Sequence, residues 1–165
     1  MQNKYEINSA ALLSHILTCK SEAEIGVQGV SMEPTLYEGD TIRVVKGEYK
    51  LGDILVFTYK YGELLVHRYV GEQYGRILCK GDNSLRLEDI DRDAIIGKVE
   101  SVKTNGKEYH IPPLSPELIS MSYQVGRLFR KNRYDPVLTR DEPLYSEFRN
   151  SMVEYASFRE SIPSK

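Results

Sequence analysis

Two side chains far apart in this sequence carry the chemistry of nucleophilic catalysis. Ser31 lies in Gly29-Val30-Ser31-Met32-Glu33-Pro34-Thr35-Leu36, and His67 lies in Leu64-Leu65-Val66-His67-Arg68-Tyr69-Val70. A serine hydroxyl is a poor nucleophile until a base takes its proton, and imidazole titrates near neutral pH. Pro34 fixes its own φ and biases Glu33 toward extended backbone, which suits a rigid strand-to-loop exit at Ser31. A lone serine after a strand is more often structural. The pair counts only if the fold brings its members together.

Other chemistries are poorly supplied. Cys19 and Cys79 are the two cysteines, neither in a CxxC, and with the scattered His15, His67 and His110 they do not spell a zinc site. No metal or cofactor is expected, and isolated cysteines suit a reducing compartment. His15 and His110 read as ordinary surface or helix residues. A net charge of -2 and a pI near 6.0 give no general attraction to nucleic acid.

The elements that must position the pair follow from periodicity. With 165 residues, 28% charged and 41% hydrophobic, the chain is long enough for one domain and a modest appendage. Residues 8 to 20 are predicted as a short amphipathic helix, capped by Asn8 or Ser9, with Leu12, Leu13, Ile16 and Leu17 in one stripe. From Glu24 to about His110 the period switches to two. Strands are predicted over Ile25–Val30, Thr41–Val45, Asp53–Tyr59, Glu63–Val70, Arg76–Lys80, Ile95–Thr104 and Glu108–Ile111. Close Gly, Asp and Asn turns separate them, so the expected body is β-rich and mainly antiparallel. Pro112-Pro113 and Ser115-Pro116 mark a boundary, after which helical spacing returns over Leu118 to Phe129 and about 142 to 160. The expected division is an N-terminal helical segment (1–23), a catalytic β domain (24–112) and a C-terminal helical extension (113–165).

Four boxes in order then carry a resemblance. Ser31-Met32-Glu33-Pro34-Thr35-Leu36, with Glu38-Gly39-Asp40 after it, resembles the nucleophile box of type I signal peptidases and their soluble relatives. Leu51-Gly52-Asp53-Ile54-Leu55-Val56-Phe57 is similar to the family's Gly-Asp strand, and Val66-His67-Arg68-Tyr69-Val70 to its base-bearing strand. Lys80-Gly81-Asp82-Asn83 is similar to its acidic box, and Ile96-Gly97-Lys98-Val99 to the strand beyond. The likeness covers about residues 25 to 104 and implies the family's β-rich, largely antiparallel catalytic body.

The resemblance also implies roles. Most bacterial members and the self-cleaving repressors use lysine as the base; this chain has His67, as the archaeal and endoplasmic-reticulum type does. A lysine must lose several pKa units by burial before it accepts a proton near pH 7, whereas an imidazole starts near 6.5. Lys60 and Lys80 are then not required as bases. Asp82 and one of Glu88 or Asp89 are the acids the family pattern offers. Asp89 is the favoured orienting carboxylate, Asp82 a structural one, and Asp91 and Asp93 solvated turn acids. The Ser31 N–H is the natural oxyanion donor. Some relatives add a serine hydroxyl two residues earlier, where this chain has Gly29. Substrate contacts fall to Met32, Leu36 and Tyr59, with Met32 and Leu36 equally readable as core. Family members bind small residues before the cut in shallow apolar pockets.

Two departures shape the expectation. Signal peptidases are membrane-anchored, yet the longest early apolar stretch, residues 10 to 17, is far short of the roughly 20 that a span needs. It lacks a basic flank and a small-residue cleavage site, so no signal peptide is read and the cytoplasm is the expected location. Self-cleaving repressors carry a DNA-binding domain, for which the two dozen residues before the Ser31 strand are too few. The expected function is a soluble serine endopeptidase that cleaves a leader or precursor peptide. The alternatives are a catalytically silent peptide-binding module of the same fold and an autoproteolytic transcription regulator. The basic C-terminal helix can dock a partner or an anionic membrane surface, or simply cover an apolar face. Nothing in the sequence sets the oligomeric state.

Overall fold

The computed structural model describes residues 9–160. Asn8, one of the two expected helix caps, lies outside the described residues. Helix α1 spans Ser9–Lys20 and buries Ala10, Leu13 and Leu17. The strands are β1 (Glu22–Gly26), β2 (Thr41–Val45), β3 (Ile54–Tyr59), β4 (Glu63–Gln73), β5 (Arg76–Lys80), β6 (Glu88–Ile90), β7 (Ile95–Thr104) and β8 (Lys107–His110). Three helices follow: α2 (Pro116–Lys131), α3 (Pro136–Arg140) and α4 (Pro143–Tyr155). The β-rich, antiparallel architecture with an N-terminal helix and C-terminal helices is the one expected.

All strands join one antiparallel sheet in the order β1-β2-β7-β3-β4-β5-β6, with β8 pairing β7 beyond the end of β3. The Val and Ile content of β2, β3 and β7 suits pleated, half-buried surfaces. On β3, Ile54 and Val56 join a core beneath α1, while Leu55 and Phe57 join a second core with Tyr69, Ile77, Cys79 and Ile90. Burial on both faces explains why this strand reads as a continuous apolar run.

A third core lies under α2 and α4. Ser115 caps α2, its Oγ accepting from the Leu118 N–H at 3.2 Å, with Pro116 opening the first turn. Ile119, Val125 and Phe129 then pack with Leu85, Leu87, Phe148 and Met152. Gly126 permits the approach: a Cβ there would sit 2.3 Å from Leu87 Cγ. The C-terminal helices therefore cover an apolar face of the body.

Three details differ from the sequence reading. The first strand is Glu22–Gly26, not Ile25–Val30, because the chain turns out of the sheet and Gly29 takes a φ of +78° that no regular strand contains. The short strand β6 and the one-turn α3 are additional. The last helix ends at Tyr155, followed by a 3-10 turn through Arg159. Among the described residues, no helix is long and apolar enough to cross a membrane.

Candidate active site

Ser31 opens a tight turn. The Glu33 N–H donates to Val30 O, and the Thr35 and Leu36 N–H groups both donate to Met32 O, at 2.9 Å each. The Glu33–Pro34 peptide is cis. Met32 and Leu36 anchor the turn in the core beneath α1, at 3% and 0% exposure. His67 comes from β4, where it lies opposite Leu55 of β3. The fold brings His67 Nε2 within 3.0 Å of Ser31 Oγ. At that distance an imidazole nitrogen can take the hydroxyl proton.

Behind the imidazole stands Glu88, with Oε1 at 2.9 Å from His67 Nδ1. The two atoms are close, but the carboxylate lies off the line of the ring N–H and no aligned hydrogen bond forms. Nδ1 and Glu88 Oε2 are both buried without a hydrogen-bond partner among the described residues.

Asp89, the carboxylate favoured from sequence, is not the one at the ring. It is exposed and bonded to the Arg76 Nε. The reason is strand alternation: β6 buries Glu88 and Ile90 and turns Asp89 to solvent. Glu88 pairs in register with the buried Cys79 on β5, which aims it inward. Burial, then the nearby Glu88 charge, push the Cys79 thiol well above its usual range.

Asp82 is structural. Arg68 donates to it from Nε to Oδ1 at 2.9 Å and from Nη2 to Oδ2 at 2.8 Å, and Thr35 Oγ1 donates to Oδ2 at 2.6 Å. Burial alone would push this carboxyl up, but the Arg68 charge and hydrogen bonds, Thr35 and Lys80 together hold it below its usual range. Its own loop closes on the Ser31 turn: the Asn83 N–H donates to Ser31 O at 2.8 Å, and Asn83 Nδ2 to Val30 O at 3.0 Å. Gly81 fits only without a side chain, since a Cβ would lie 2.6 Å from Ser31 O and 3.1 Å from His67 Nε2.

Lys80 is fully buried and shapes the same loop. Its Nζ donates to Gly81 O at 3.0 Å and Ser84 O at 2.7 Å, and lies 4.7 Å over the Phe148 ring. Burial lowers its pKa to about 8, against the raising effect of Asp82 and Glu88. The C-terminal extension reaches the turn as well. Arg159 Nη1 donates to Thr35 O at 3.0 Å, and its guanidinium grips both oxygens of Asp40, at 2.8 and 3.1 Å. Sequence reasoning assigned no structural role to Arg68, Lys80 or Arg159. Arg68 and Arg159 pair with Asp82 and Asp40 across separations that no local pattern records, and Lys80 donates to the carbonyls of its own loop.

The remaining expected residues divide. The Ser31 N–H makes no backbone hydrogen bond among the described residues, leaving it open as a donor. The Gly29 N–H is instead engaged by Glu38 Oε1 at 3.3 Å, so Gly29 offers no free donor. Met32 and Leu36 are core residues that also line a groove of about 510 Å³, as do Ser31 and His67. Tyr59 is not among the residues lining that groove; it packs edge-on to Phe57 in the core that includes Tyr69. Among the described residues, no group of three His, Cys, Asp or Glu side chains gathers to hold a metal ion. No family model matches the chain, and no curated protein matches it in sequence.

Proposed function

We propose that this chain is a serine endopeptidase of the signal-peptidase type, with histidine as its base. The observation that carries this reading is the 3.0 Å contact between Ser31 Oγ and His67 Nε2, with the Glu88 carboxylate across the ring at Nδ1. Ser31 Oγ attacks the scissile carbonyl carbon while Nε2 takes the hydroxyl proton. Glu88 faces the positive charge that then forms on the imidazole. The carbonyl oxygen becomes an oxyanion within reach of the Ser31 N–H. His67 returns the proton to the leaving amine, which departs and leaves an ester on Ser31. A water molecule, deprotonated by the same imidazole, hydrolyses that ester. Asp82 takes no part in proton transfer; it holds the turn and the strand together. The substrate is a peptide or protein segment lying extended in the groove.

The test is cleavage of a synthetic peptide library by the wild type, Ser31→Ala and His67→Ala. Each substitution is expected to lower kcat/KM at least about a thousandfold. Because the base must be neutral to act, activity is expected to rise with pH until the imidazole is fully deprotonated. Full cleavage by either variant, or a flat profile from about pH 5 to 8, contradicts the reading.

A further inference from the structure

We infer that the substrate carries a bulky aliphatic or aromatic side chain within three residues of the scissile bond, seated against α1. This rests on the peptidase reading and goes beyond it by naming the substrate class. Helix α1 is apolar on more of its surface than it needs for packing. Ala10, Leu13 and Leu17 face the core, while Leu12, 48% exposed, and the half-buried Ile16 lie one turn apart on a neighbouring face. Leu12 and Ile16 line the groove, together with Leu13. Ile25 and Val27 supply another part of the lining, and Leu64 and Val66 of β4 lead directly to His67.

Size and polarity both select. The groove holds about 510 Å³, within the roughly 300–1,000 Å³ of pockets that enclose whole small ligands. An alanine methyl, comparable to the ~30 Å³ share of one water, leaves most of it unfilled. Among the described residues Glu24 is the one lining carboxylate, and it is paired with Lys103 Nζ at 3.3 Å. The described lining is otherwise mostly apolar, and large apolar side chains gain most from leaving water. The preference differs from the small residues that the sequence resemblance implies.

The experiment digests a synthetic peptide library, varied among Leu, Phe, Ala, Gly, Ser, Lys and Asp at the three positions on each side of the cut, with products identified by mass spectrometry. Leu or Phe at one of these positions is expected to raise kcat/KM at least about tenfold over Ala. In Leu12→Asp that ratio falls to within about threefold of one. Leu138→Asp, on exposed α3, leaves the ratio unchanged. Cleavage with a preference for Ala, Gly or charged residues overturns the inference and leaves the peptidase reading standing. No cleavage of any library member removes both. A Leu12→Asp variant with an undiminished ratio, its melting temperature matching the wild type, also overturns the assignment to α1.

Discussion

Arg68 and Asp82 form a bidentate ion pair in which both side chains are essentially inaccessible to solvent, at 1% and 0% exposure. Arg68 follows His67 on β4, and Asp82 also accepts from Thr35 in the Ser31 turn. One carboxylate thus ties β4, which carries His67, to the Ser31 turn. These are the two segments whose side chains meet at 3.0 Å.

Removing one partner strands the other charge in the interior. Asp82→Ala is expected to cost about 3–5 kcal/mol, the usual loss when half of a buried pair is deleted. Urea unfolding measures it. A loss under about 1 kcal/mol would mean that the pair behaves like a surface contact.

Acid should loosen the same turn. The carboxyls of Asp82 and Asp40 are raised by burial but lowered further by their arginine partners, Arg68 and Arg159, so each ionises below its ordinary 3.8 when folded. As pH falls, the unfolded chain takes up these protons first. The stabilisation is complete above pH 3.8 and is lost as pH drops through the folded values. Urea midpoints between pH 6 and pH 2 are expected to fall steeply at the acid end, and less steeply in Asp40→Asn.

The neighbouring acids Glu88 and Asp89 should separate sharply. Glu88→Gln removes the charge facing His67 Nδ1, and kcat/KM is expected to drop by about 10²–10⁴. Asp89→Asn touches only the exposed pair with Arg76 and should change it less than about threefold. Equal effects from the two substitutions would contradict the orientation drawn from β6.

Gly81→Ala adds a methyl 2.6 Å from Ser31 O, a backbone atom that cannot swing aside. The Ser31 turn or the Gly81 loop must shift, and a displacement near 1 Å costs about a hundredfold in rate. The expected signature is a fall in kcat with a modest change in melting temperature.

The β-rich body and the juxtaposed Ser31 and His67 were legible in the sequence because each sits in a local pattern. Ser31 precedes a proline that shapes its turn, and His67 lies in an alternating apolar strand. The choice between Glu88 and Asp89 depended on a three-residue strand too short to announce itself. Ile90, two residues after Glu88, was the available signal, since an apolar residue marks the buried face that Glu88 shares. The first strand was misplaced because Val27 to Val30 continues the apolar pattern past the point where Gly29 turns the chain. Alternation from Glu22 to Ile25 was there to be read. Asp135-Pro136 likewise signalled the start of α3, with Asp135 accepting from the Val137 and Leu138 N–H groups. Nothing local revealed that Arg159 would reach back to Thr35 and Asp40.

The most direct measurement is the site and rate of covalent labelling by a small fluorophosphonate, read by mass spectrometry of the intact and digested protein. The account predicts one adduct, on Ser31, forming at least about a hundredfold more slowly in His67→Ala. No adduct on Ser31, or labelling at the same rate without the imidazole, would contradict it.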